Sequence, residues 1–183
     1  MGERALICGQ SETGKSVLMM SRADAHIVDG FVAIVHSPMC KSEPWPSGCE
    51  LYESCDDFMS RCLQLAAHSQ KMQAPLKCAL FIDEADILLG VVDRENHWLL
   101  TRGRHYFPYI YVITQRPKMI APNVRGQCKE LFLFQISADD ARELSRDFAA
   151  DLGEAPHLMQ GEHLHVGWSD RVKTVTRVDG FRK

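Results

Sequence analysis

Gly9-Gln-Ser-Glu-Thr-Gly14-Lys15-Ser16 lies between a short apolar run, residues 5–8, and a segment of helical composition, residues 15–22. The stretch matches GxxxxGK[ST], and a strand before it and a helix after it are the context that pattern needs. Gly9 and Gly14 let the backbone wrap around an anionic chain and aim several N–H groups inward. The helix starting near Lys15 adds the positive end of its dipole at the same point. On this reading Lys15 neutralises the β- and γ-phosphates of ATP, and the Ser16 hydroxyl ligates Mg2+. The expected phosphate seat runs from Gly9 to Val17 and includes Gln10, Ser11, Glu12 and Thr13. A chance match in a chain this long is on the order of one in a hundred. The alternative is a glycine-rich turn that only caps a helix.

Outward from this stretch, short apolar runs alternate with helical segments. Residues 5–8, 31–35, 78–82, 109–114 and 131–136 read as buried strands bounded by Gly, Pro or polar clusters. Residues 15–22, 54–70, about 93–104 and 138–151 read as helices. The last of these opens on Ser137, a plausible N-cap, with acids in its first turn. Strand–helix alternation of this kind predicts an α/β fold, a mostly parallel sheet with helices on both faces. Near the end, residues 163–168 and 173–178 alternate apolar and polar, as a terminal antiparallel hairpin would. His163 and His165 would then share the polar face of a strand. Residues 41–48, KSEPWPSG, read as a surface loop in which Trp45 is either a contact residue or an ordinary apolar cap. The whole, 1–183, is expected to be a single domain.

Three further groups carry chemistry. Cys78-Ala-Leu-Phe-Ile-Asp83-Glu84-Ala-Asp86 is an apolar strand ending in two acids. It delivers both carboxylates to the carboxyl edge of the sheet, where open α/β folds bind ligands. Asp83 is the expected Mg2+ ligand and Glu84 the general base that polarises an attacking water. The alternative, acids capping a helix at residues 85–89, is the better reading for Asp86. Tyr109-Ile-Tyr-Val-Ile-Thr114-Gln115-Arg116-Pro117 brings Gln115 to the same edge, as a γ-phosphate sensor or as a turn residue before proline. One of Arg102, Arg104 or Arg125 is expected to reach a neighbouring subunit's phosphates, and the choice among them stays open. Arg94, Arg102, Arg104, His105, Arg116 and Lys118 also form a locally basic run able to touch DNA phosphates.

Composition narrows the field. Apolar residues are 45% and charged residues 25% of the 183, close to the globular average, which argues against wholesale disorder. A net charge of −3 excludes a protein that coats nucleic acid through bulk positive charge. No apolar run reaches the ~18 residues of a membrane span. The opening MGERALICG has mixed charge, unlike a secretory signal, and Leu6 stands where a myristoylation signal wants Ser or Thr. Seven cysteines include no CxxC pair, so reduced thiols in a cytoplasmic compartment are expected rather than a zinc site.

The order GQSETGKS, ALFIDEAD, RGRHYFPYIYVITQRP and LFLFQIS resembles the FtsK–HerA superfamily of DNA-pumping ATPases. In particular it is similar to the compact genome-packaging ATPases of membrane-containing double-jelly-roll viruses. The first two motifs are general to P-loop hydrolases, and the RGRH and ITQRP segments are the more specific part. The resemblance implies a P-loop NTPase fold of RecA/ASCE type with a C-terminal antiparallel extension. By position it makes Gly9–Ser16 the Walker A motif, Asp83 and Glu84 the Walker B pair, Gln115 the sensor, and Arg102 or Arg104 the trans-acting finger. It implies ATP and Mg2+, double-stranded DNA and a homo-oligomeric ring, usually hexameric. It also implies docking on capsid or portal-vertex proteins, in the host cytoplasm or at the packaging vertex of the virion. The residues themselves leave two alternatives: a small-molecule P-loop kinase with Arg102 and Arg104 as lid residues, and a phage assembly ATPase resembling the zonula occludens toxin-like proteins. The motifs of the 183 residues are expected to make a motor core alone, without the winged helix of the bacterial chromosome translocases or the N-terminal barrel of the archaeal members.

Overall fold

The computed structural model describes residues 3–74, 76–92, 95–167 and 173–178. Its eight strands are β1 (Arg4–Cys8), β2 (Val32–His36), β3 (Glu50–Tyr52), β4 (Cys78–Ile82), β5 (Tyr109–Thr114), β6 (Glu130–Leu133), β7 (Glu162–Gly167) and β8 (Lys173–Arg177). They form one sheet in the order β3-β2-β4-β5-β1-β6-β7-β8. The first six run parallel, and β7 and β8 close the sheet antiparallel. β1 and β4 are buried along their full length, as expected for central strands covered on both faces.

The helices are α1 (Lys15–Val28), α2 (Cys55–Met72), α3 (Asp86–Leu89), α4 (Trp98–Thr101), α5 (Pro122–Arg125) and α6 (Ala138–Phe148). α1 packs on one face of the sheet, against Ala5, Ile7, Val35, Phe81 and Ile113. α2 to α6 cover the other, around Leu6, Leu80, Ile110 and Leu131. Two of the longer helices begin on serine caps. Ser54 accepts from the Asp57 amide at 3.3 Å and Ser137 from that of Asp140 at 3.1 Å, and acids fill both first turns.

Several boundaries differ from expectation, each for a local reason. α1 runs on to Val28 because His26 takes an apolar position, its Nε2 meeting the Tyr111 hydroxyl at 2.9 Å. β3 is three residues long at the sheet edge, where Arg61 holds Glu50 through two 2.8 Å bonds. The helix expected over 93–104 is instead a 3-10 turn (Glu95–His97), the short α4, and a second 3-10 turn (Gly103–His105). There Thr101 Oγ1 bonds back to the His97 carbonyl, and His97 Nε2 meets the Gly90 carbonyl. Asp93 and Arg94, expected in that helix, and Trp168 of the hairpin lie outside the described residues.

The histidine pair departs from its expected exposure. His163 and His165 do share a face, but it lies over Phe132 and Phe134, and His163 is only 4% exposed. His165 stacks on Phe132 and meets Glu130 at 2.7 Å. Period-two alternation places residues on faces, whereas depth depends on what the neighbouring strand supplies. All seven cysteines are unpaired.

Candidate active site

β1 ends at Cys8, and the chain turns sharply into α1. The Gly9 amide bonds the Thr114 carbonyl at 3.3 Å, and the Gln10 amide bonds the Gln135 carbonyl at 2.8 Å. The loop is thus slung between the ends of β5 and β6. A Cβ on Gly9 would stand 2.5 Å from Phe134 Cβ, so nothing larger than glycine passes there. Gly14, the N-cap of α1, has φ 114°, open in practice only to glycine. Inside the loop Gln10 offers its carbonyl to Thr13 Oγ1 at 2.8 Å and to Lys15 Nζ at 2.6 Å. Lys15 is 9% exposed, and burial lowers its pKa from the usual lysine value. An anion beside its ammonium would relieve that cost. Val17 packs into the core on the α1 face, so its share in the seat is made by backbone alone.

β4 and β5 bring the remaining candidates to the same edge. Asp83, one residue past β4, accepts from Ser37 Oγ at 3.3 Å and from the Glu84 amide at 2.9 Å. Burial raises its pKa, and these bonds, Lys15 and His36 only partly offset it. Glu84 is exposed with φ 46°, a left-handed conformation uncommon for a non-glycine residue and typical of constrained functional positions. Partial desolvation at the cavity wall raises its pKa first, and Asp83, Asp86 and Glu43 add to the shift. Gln115, one residue past β5, accepts a hydrogen bond from Ser11 Oγ at 3.1 Å. Asp86 starts α3 and receives the Thr114 hydroxyl at 3.4 Å.

These groups surround one cavity of about 520 Å³, lined by Lys15, Ser16, Asp83, Glu84 and Gln115 among others. A second recess of about 750 Å³ continues past Gln115 and Arg116 to the start of α6. The donor set suits Mg2+: a hard hydroxyl oxygen on Ser16 and a carboxylate on Asp83 whose charge its surroundings leave under-compensated. Among the described residues no group of three or more His, Cys, Asp or Glu is arranged to hold a metal, so any cation here also takes oxygens from a bound phosphate or water.

Three site residues escaped the sequence reading or were assigned elsewhere. Ser37 follows β2, and only the pairing of β2 with β4 sets it beside Asp83. Glu43, from the loop at 41–48, lines the cavity and holds Trp45 Nε1 at 3.0 Å, so Trp45 anchors that loop on the α1-side core. Arg116 lines both recesses.

The arginines divide. Arg102 and Arg104 are exposed and precede β5, so the length of that strand, roughly 17 Å at ~3.3 Å per residue, separates them from the cavity of their own chain. That geometry removes the lid role a small-molecule kinase would give them. Arg125 is a correction: it is 5% exposed and spent on Glu143 at 2.6 Å, Asp147 at 2.7 Å and the carbonyls of Pro117 and Ile120. A guanidinium so buried and fully bonded is not offered to a neighbour. The basic run is likewise not one patch. Arg102, Arg104 and His105 sit at one edge of the sheet, while Arg116 and Lys118 sit at the other, with Lys118 paired to Asp140 at 3.4 Å.

No protein-family model matches the chain, and no curated protein matches it in sequence. Solved structures do match. The genome packaging NTPase B204 of Sulfolobus turreted icosahedral virus 2, in complex with ATP-gammaS, superposes with a TM-score of 0.78 at 18% identity, over 97% of this chain and 98% of that one. The conjugation coupling protein TcpA of pCW3 gives 0.65 at 15% identity over 97% of this chain and 61% of that one. The N-terminal domain of zonular occludens toxin from Neisseria meningitidis gives 0.56 at 17% identity, over 98% and 96%. The chain has the P-loop NTPase fold of these proteins, as its motifs imply.

Proposed function

We propose that this chain is an Mg-ATP-driven translocase of double-stranded DNA, acting as a viral genome-packaging motor. One observation carries the reading: Lys15, Ser16, Asp83, Glu84 and Gln115, from three separate strand ends, line a single cavity at the carboxyl edge of the sheet. That is the constellation phosphoryl transfer to water requires. Similarity in fold to B204, a genome packaging NTPase, supports the packaging role over the toxin-like alternative, whose TM-score is lower.

In this reading the γ-phosphoryl group passes to water. The bond from phosphorus to the ADP oxygen breaks, a bond from the water oxygen forms, and Glu84 takes the water's proton. Lys15 leaves the Gln10 carbonyl and lies along the β- and γ-oxygens. Gln115 orients the water or the γ-phosphate and passes its state to the loop through Ser11. Ser16 and Asp83 would hold Mg2+, which when bound would supply charge neutralisation for the transferred phosphoryl group. Arg102 or Arg104 acts on a neighbour's triphosphate, which requires a homo-oligomeric ring, taken as hexameric. The ring docks on capsid or portal-vertex proteins in the host cytoplasm or at the packaging vertex. Among the described residues no helix is long and apolar enough to cross a membrane.

Steady-state ATP hydrolysis with and without duplex DNA tests the proposal. DNA-stimulated turnover that is insensitive to sequence and weakens with salt is expected. Phosphate transfer to a nucleoside instead of water would move the chain to the kinases, and hydrolysis indifferent to DNA would remove the translocase role.

A further inference from the structure

An anion-binding loop needs its N–H groups turned inward, and a planar trans peptide then turns the attached carbonyls outward, where each needs a donor. Here those donors come from the far end of the chain. Gln160 Nε2 donates to the Glu12 carbonyl at 2.9 Å, and the Gly161 amide donates to the Thr13 carbonyl at 2.9 Å. The amides sharing those peptide planes, on Thr13 and Gly14, therefore face away from the C-terminal hairpin. Glu12 sits at φ 62°, a left-handed conformation that a non-glycine residue keeps only when its surroundings hold it.

The turn that presents Gln160 is itself closed. The Met159 amide bonds Glu162 Oε2 at 3.0 Å, and the Glu162 amide bonds the Met159 carbonyl at 2.9 Å. Behind it, the Val178 amide at the end of β8 bonds the Gly161 carbonyl at 2.9 Å. A continuous chain of hydrogen bonds thus runs from β8 through Gly161 to the loop.

We infer that Gln160, backed by the Gly161 amide, is a positioning residue for the phosphate loop: it pins the Glu12 peptide so that the loop is preformed for the triphosphate of a nucleoside triphosphate, and it makes the β7–β8 hairpin part of the nucleotide site. The inference rests on the phosphate-seat reading of Gly9–Ser16.

Gln160→Ala removes the donor, and Gln160→Glu keeps the shape without an N–H. Wild type and both variants are titrated with methylanthraniloyl-ATP and Mg2+, with inorganic triphosphate as competitor. Both variants should bind both ligands about three- to tenfold more weakly, the range for one lost hydrogen bond, with Gln160→Glu no better than Gln160→Ala. In turnover assays the loss should fall on KM more than on kcat. Weaker binding of the ATP analogue with unchanged triphosphate affinity would overturn the inference, because Gln160 would then be touching the rest of the nucleotide. Unchanged affinity for both ligands would overturn it too. Failure of the wild type to bind either ligand would instead remove the phosphate-seat reading, and this inference with it.

Discussion

Ser11 Oγ donates to Gln115 Oε1 across 3.1 Å, joining the phosphate loop to the end of β5. The proposed sensor is therefore held by the loop on which it would report. Gln115→Ala should leave ATP binding within about threefold and lower kcat by about 10²-fold, the scale for losing one group that orients reacting atoms. Ser11→Ala frees the Gln115 carboxamide and should cost much less. Steady-state kinetics on both variants measure the split; equal losses would mean that the loop contact, not the sensor, matters.

As the proposed general base, Glu84 should set the acid limb of the pH profile. Its carboxyl is held above the ordinary glutamate range by partial desolvation at the cavity wall, and Asp83, Asp86 and Glu43 add to the shift. A general base works only when ionised, so kcat should fall with decreasing pH sooner than for an ordinary glutamate. Glu43→Gln removes one of the like charges, and the limb should move to lower pH. Glu84→Gln should bind ATP and not turn it over. A limb that stays in place in Glu43→Gln would mean another group controls it.

Where strands are fully buried and end in polar residues, the sequence is readable. The central strands β1, β4 and β5 and the residues just past them, Gly9, Asp83 and Gln115, stand at the edge their pattern predicts. What the pattern does not contain is partnership. Ser37 becomes a site residue only through the pairing of β2 with β4. Arg125 reads like Arg102 and Arg104 until Glu143 and Asp147 enclose it. Gln160 lies 148 residues from the Glu12 it holds, and no local signal marks such a contact.

Asp83 should cost the nucleotide-free protein stability. Burial raises its pKa above the unfolded value, so the folded state retains the proton more readily. Stability falls as pH rises from the unfolded pKa through the folded one, and that loss is in force at neutral pH. Asp83→Asn should therefore raise Tm without nucleotide while abolishing Mg-dependent hydrolysis. The scale is about 2–4 °C for each kcal/mol in a chain of this size. Differential scanning calorimetry measures it, and a lower Tm would mean that the bonds from Ser37 and Glu84 outweigh the desolvation.

His163 gives the opposite dependence. Burial, then His165 and Arg22, push its pKa down to about 4, and its buried Nδ1 has no hydrogen-bond partner among the described residues. A depressed histidine contributes stability that is full above the unfolded value near 6.5 and is lost as pH falls toward 4. His163→Phe, set among Phe132 and Phe134, should flatten the decline over that window. Denaturant midpoints at several pH values test this; an unchanged slope would assign the acid sensitivity to other groups.

Arg102 and Arg104 carry the oligomer argument. Both are exposed and sit at the edge of the sheet opposite their own cavity, so a role in hydrolysis requires a second copy. Arg102→Ala or Arg104→Ala mixed with Lys15→Ala protein should recover turnover that neither variant has alone, because a mixed interface pairs an intact Lys15 site with a neighbour's intact arginine. The variant that acts across the interface should still bind ATP, since its own Lys15, Ser16 and Asp83 are unaltered. No recovery in either mixture would refute action in trans and leave the two arginines to an edge-to-edge or DNA contact.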